Sequence, residues 1–167
     1  MIQPLLAAAM VLSQAAAPAP QSCLTRPEAA DVALVMLPGV IDGAASKCAS
    51  ALPRDAFLRT GSRAMAERLR RESAKRASQA IAAFAKLGDE PMPSGVSEAT
   101  MKQLVEEVAA GAIVEGIKVR DCAAVNEVVE ALAPLPAPNL ATVVAVLMEL
   151  GGKTESDSSF RMCAAGR

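Results

Sequence analysis

From residue 23 onward, apolar side chains recur every three or four positions in stretches cut by proline and glycine. No convincing run has the period-two alternation of a half-buried strand. A chain patterned this way predicts an all-α fold: a compact bundle of five to six helices joined by Pro/Gly turns. No low-complexity linker divides these 145 residues, enough for a single helical domain with its own core.

The punctuation predicts the element boundaries. Thr25-Arg26-Pro27-Glu28 forms a capping box and opens a helix through Val32, Val35 and Met36 that stops near Pro38-Gly39. A shorter helix then carries Val40 and Ile41 to Cys48, and Leu52 to Leu58 reads as a turn leading into one helical turn. The clearest helix runs from a Thr60 or Ser62 cap to Gly88. It has Met65, Leu69, Ala77, Ala80, Phe84 and Leu87 on one arc and Arg63, Arg68, Arg70, Arg71 and Lys75 opposite. After a loop containing Pro91 and Pro93, a helix from Ser97 to about Gly116 presents Met101, Leu104, Val105, Val108 and Ala112. The next begins at Asp121, with Cys122, Val125, Val129 and Leu132 on its inner stripe. Beyond the stiff 134–138 segment, Asn139 caps a last helix closed by Gly151-Gly152. That helix is apolar almost all round (Leu140, Val143, Val144, Leu147, Leu150), which predicts a place at the centre of the core. A polar tail follows from about residue 153, anchored at Cys163.

Four cysteines (Cys23, Cys48, Cys122, Cys163), none in a C-x-x-C, read as two disulfides with three possible connectivities. Cys23–Cys48 with Cys122–Cys163 is the favoured arrangement, because each pair then closes one local stretch. Loops of that length contribute roughly 3–4 kcal/mol each in the chain-entropy model. A four-thiolate zinc site is the alternative, but metal cysteines normally come in closely spaced pairs. A core of Leu, Val, Ile, Met and Ala buries less area per residue than an aromatic one, so two staples are a sensible supplement.

Residues 1–22 contain no charged side chain. The short apolar run Leu5 to Leu12, then Ser13-Gln14-Ala15 and an Ala/Pro-rich stretch, fits a secretory signal peptide and leader, although its n-region lacks Lys and Arg. An Ala/Pro-rich N-terminal tail is the alternative. Export to a periplasmic or secreted location is therefore expected. Pro20-Gln21-Ser22 is a poor lipobox, which argues against a lipoprotein acylated at Cys23. No later segment reads as long and apolar enough to cross a membrane.

The chain is 52% hydrophobic but 2% aromatic and has no histidine. That removes Ser-His-Asp and Cys-His machinery and imidazole metal sites, and leaves little to stack sugars or bases. A net charge of −1 gives no reason to expect a nucleic-acid partner. The charge is uneven: residues 1–87 carry +5 and residues 88–167 carry −6, so the halves are suited to dock on each other or to pair between subunits of a homo-oligomer.

The most conspicuous polar feature is the basic stretch Arg59 to Arg76. Arg63, Arg70, Arg71 and Lys75 are the candidate contacts for an anionic envelope surface. The competing reading is a solvated helix face laced with i,i+4 ion pairs. Glu106-Glu107, Glu127/Glu130 and Asp89-Glu90 read as surface acids, since no calcium-loop spacing or flanking aromatic accompanies them. No S-x-x-K or G-x-S-x-G occurs, and Gly151-Gly152-Lys153-Thr154 lacks the first P-loop glycine. The methionines are dispersed rather than clustered for copper. No catalytic residue and no cofactor is assigned. The expectation is a small exported, non-catalytic helical protein that binds a protein or cell-envelope component, ahead of peripheral binding to anionic envelope material. A hydrolytic or redox enzyme with a site assembled across helices comes last.

Overall fold

A computed structural model describes residues 23–87, 95–151 and 161–163. Among them the fold is all-α and compact, as the apolar period requires. The elements are α1 (Arg26–Cys48), α2 (Phe57–Thr60), α3 (Ser62–Ser73), α4 (Ala77–Ala85), α5 (Glu98–Gly116), α6 (Cys122–Leu132) and α7 (Ala137–Gly151).

The centre of the bundle is α1, not α7. Every residue from Asp31 to Met36 is buried, so the helix is walled in on all sides. Small residues permit this: a β-carbon on Gly39 would meet the Ala110 Cβ at 2.9 Å, so α5 lies directly against the α1 backbone there. The helix also runs straight through Pro38, where a stop was expected. Proline removes one helical donor and costs about 3 kcal/mol in an exposed helix. Here Pro38 is almost wholly buried in a helix packed by α3, α4, α5 and α7, and tertiary packing outweighs the local preference.

Three walls surround α1. The α3–α4 rod runs antiparallel to it, since Asp42 pairs with Arg70 and Asp31 with Arg76. This rod is interrupted by a 3-10 turn at Ala74–Arg76 where one helix was expected. Helix α5 runs parallel to α1, with Gly39 against Ala110 and Gly43 against Val114. It buries Met101, Val105 and Ala110 and leaves the expected inner residues Leu104 and Val108 exposed. Helix α7 runs antiparallel on a third side, placing Ala137, Leu140 and Ala141 against Leu34 and Ile41. It begins at Ala137, so Asn139 lies inside its first turn. Helices α2 and α6 close the C-terminal end of α1, joined where the Leu58 N–H donates to Asn126 Oδ1 at 2.9 Å.

The disulfides are Cys23–Cys163 (S–S 2.01 Å) and Cys48–Cys122 (S–S 2.02 Å). This corrects the expected pairs Cys23–Cys48 and Cys122–Cys163. Cys48 is the last residue of α1 and Cys23 lies just before its first turn, so the two sit at opposite ends of a rod about 35 Å long. A disulfide needs Cα atoms about 4.4–6.8 Å apart, which those ends cannot reach. Each end of the central helix is stapled to a distant part of the chain instead. The separations are 140 and 74 residues, and each bridge alone corresponds to roughly 4–5 kcal/mol in the chain-entropy model. At the first staple, the Leu24 N–H donates to the Arg161 carbonyl (2.7 Å) and the Cys163 N–H to the Leu24 carbonyl (2.8 Å).

The unbroken α1 also corrects the expectation about membrane-length segments: its 23 residues are long and apolar enough to span a bilayer. In this fold it is the core helix, carrying two ion-paired aspartates and packed by neighbours on every side. The leader, Asp89-Glu90, Gly152-Lys153-Thr154 and the polar tail apart from Arg161–Cys163 lie outside the described residues.

Candidate functional site

The basic stretch is the first candidate, and the structure divides its charges among internal partners. Arg59 donates through Nη1 to the carbonyls of Ala49 (2.9 Å) and Leu52 (3.1 Å). Arg68 donates through Nη2 to the carbonyls of Ala133 (2.7 Å) and Leu135 (3.2 Å), holding the segment after α6. Arg70 reaches Asp42 Oδ2 at 2.7 Å and Glu106 Oε1 at 2.8 Å, joining three helices. Burial alone would lower the Arg70 pKa, but the hydrogen bonds to Asp42 and Glu106 outweigh it and raise the value. Arg76 grips both Asp31 oxygens (2.8 and 3.1 Å), and that hydrogen bonding raises its pKa.

Of the four candidate anion contacts, Arg70 is therefore a tie between helices. Lys75 holds Glu72 (2.9 Å) and Arg63 lies 3.4 Å from Glu67, both on the exposed surface. Arg71 is exposed and has no ion pair among the described residues. Carboxylates within the molecule pair with three of the four.

A cleft of about 330 Å³ lies where α1, α7 and the 3-10 turn meet. Leu34, Ala30 and Ala141 line it, while the Asp31–Arg76 and Glu72–Lys75 pairs form its rim. Its charges are matched in pairs, so none is left to draw in a charged ligand. In a second cleft Arg70, Lys102 and Glu106 engage one another, while Glu107 accepts from the Gln103 amide at 2.9 Å.

The third candidate is apolar. Helix α7 turns Val143, Leu147 and Leu150 outward, with Leu147 59% and Leu150 55% exposed. Spacings of four and three residues put them on one stripe. Helix α5 exposes Leu104 and Val108 in the same way. Sequence reasoning missed the α7 stripe because it assigned that helix to the centre. The sign was present in Ala137, Ala141 and Ala145, a small-residue face suited to close packing on one side only.

No three His, Cys, Asp or Glu side chains among the described residues come together as metal ligands, and the four cysteines are consumed in disulfides. The charge imbalance between the halves is used at least in part within the molecule. Arg26 meets Glu149 at 2.7 Å, Arg70 meets Glu106, and the Lys47 ammonium caps the C-terminal carbonyls of α5 at Val114 and Glu115. No protein-family model, no curated protein and no solved structure matches this chain.

Proposed function

We propose that this is a small exported, non-catalytic helical protein that acts by binding a protein partner through the outward face of α7. The observation that carries the reading is the exposed stripe Val143, Leu147 and Leu150 on a helix with no Lys, Arg or aromatic residue. A helix that lies on a membrane pairs its apolar stripe with basic residues and aromatic anchors. Helix α7 has neither, and its one charged residue, Glu149, is tied to Arg26. The chemistry suits an apolar protein surface. Two disulfides suggest an oxidising environment, and together with the uncharged leader they support a periplasmic or secreted location.

A photo-crosslinking residue placed at Leu147 in the full chain, expressed in its native host, tests this. The reading expects a discrete protein adduct that survives high salt and disappears when Val143→Asp is added. Absence of any adduct, or adducts only with lipid, would contradict it. The second reading, anionic envelope material held by the 59–76 face, rests on Arg71 with the exposed Arg63 and Lys75. It expects binding that salt abolishes.

A further inference from the structure

The two disulfides differ in what surrounds them. Cys48 and Cys122 are 0% and 1% exposed, packed with Leu52, Ala56 and Leu58 at the closed end of the bundle. Cys23 and Cys163 are half-buried at the other end. Thiol–disulfide exchange requires a thiolate to reach a disulfide sulfur, so access controls which bridge reacts. We infer that Cys23–Cys163 is a site of thiol–disulfide exchange with a dithiol reductant, a reversible latch at one end of α1, whereas Cys48–Cys122 is the permanent staple. This goes beyond the binding role and does not depend on it.

The chemistry balances with the dithiol as the named co-reactant. One of its sulfurs, as a thiolate, bonds to a sulfur of the Cys23–Cys163 pair, and the S–S bond breaks to release the other cysteine as a thiolate. The second thiol of the reagent, as a thiolate, then attacks the reagent's sulfur in the mixed disulfide, closing the reagent's own S–S bond and releasing the remaining cysteine as a thiolate. Two electrons pass to the protein, the dithiol becomes a disulfide, and its two protons end on Cys23 and Cys163.

What the latch holds is visible in the structure. Met162 packs against the cluster of Leu24, Ala29, Val32 and Met36, and Leu24 is 0% exposed. Besides the disulfide, the two Leu24 backbone hydrogen bonds to Arg161 and Cys163 hold the segment there. Opening the bridge removes the covalent tie that holds Arg161–Cys163 over Leu24 at the start of the core helix. The packing of α3, α4, α5 and α7 on α1 and the second staple remain.

The test uses the oxidised full chain, treated with dithiothreitol, quenched at intervals with a thiol alkylator and peptide-mapped. A two-thiol species labelled only at Cys23 and Cys163 is expected to accumulate. The buried bridge should open at least about 100-fold more slowly, since it waits for the bundle to open. That species should keep its helical circular dichroism, bind an apolar dye and become cleavable by trypsin after Arg161. A Cys23→Ser/Cys163→Ser variant should reproduce the dye binding with helicity intact. Simultaneous labelling of all four cysteines, labelling of Cys48 and Cys122 first, or a two-thiol species or double variant that lacks dye binding or loses helicity would overturn the inference.

Discussion

Arg70 donates to Glu106 from both Nε (3.1 Å) and Nη2 (2.8 Å), and this fork ties α3 to α5. Glu106 is 8% exposed, with Lys102 at 3.5 Å as its other cation. The side chain that stood out in the sequence as a contact for anions thus satisfies a largely buried carboxylate within the molecule.

Replacing Arg70 is therefore expected to damage the fold. Arg70→Ala leaves the largely buried Glu106 with Lys102 alone, takes the cation from Asp42 and should lower unfolding stability by about 1–3 kcal/mol, measured by urea denaturation. Arg63→Ala, at an exposed i,i+4 pair, should stay within about 0.5 kcal/mol. The combined reversal Arg63→Glu, Arg71→Glu and Lys75→Glu should leave the fold intact and binding to anionic vesicles unchanged. A marked loss of vesicle binding would restore the basic face as a functional surface.

The contact between α1 and α5 makes a contrast between two glycines. A β-carbon on Gly39 would meet the Ala110 Cβ at 2.9 Å and the Glu106 backbone oxygen at 3.1 Å, neither of which can rotate aside. On Gly43 it would meet Val114 Cγ2 at 2.7 Å, a methyl that moves with its χ1. Gly39→Ala should destabilise by about 1–3 kcal/mol. Gly43→Ala should be near neutral, because helix propensity returns about 1 kcal/mol against the repacking. Thermal melts of the two variants check the order.

Outside and inside positions on α7 give a third test. Leu140 is 1% exposed and Leu147 59% exposed. Leu140→Ala should cost about 2–5 kcal/mol, while Leu147→Ala should cost less than about 1 kcal/mol. Equal losses in chemical denaturation would mean that α7 is buried on both sides.

Glu28 supplies a pH dependence. The hydrogen bond from Lys86 and that from the Thr25 N–H hold its pKa below the ordinary carboxylate value. Because the folded-state value is the lower one, Glu28 stabilises the fold above the ordinary carboxylate range. That contribution fades as pH falls through the depressed folded value. In melts between about pH 3 and 6, Glu28→Gln should show a shallower loss of stability toward acid than the parent chain. An unchanged slope would contradict the pairing.

The helix class, the Thr25–Glu28 cap, the Ser97 start of α5 and the Asp121 start of α6 were legible because each rests on neighbouring residues. Thr100 N–H, for example, donates to Ser97 Oγ as that cap requires. What was not legible traces largely to Pro38. A proline's local preference says stop, and only the packing around it, from residues far along the chain, says continue. Ending the helix there made a Cys23–Cys48 bridge plausible, hid a membrane-length helix and left the centre of the core to α7. The fate of Arg70 was equally hidden, since its partners are 28 and 36 residues away.

The disulfide map carries the most weight, because an unbroken α1 keeps Cys23 and Cys48 at opposite ends and so dictates which cysteines can pair. Non-reducing peptide mapping of the oxidised full chain should recover Cys23 linked to Cys163 and Cys48 linked to Cys122, with no thiol alkylated before reduction. A Cys23–Cys48 crosslink would contradict the fold outright, because it cannot form across the length of an unbroken α1.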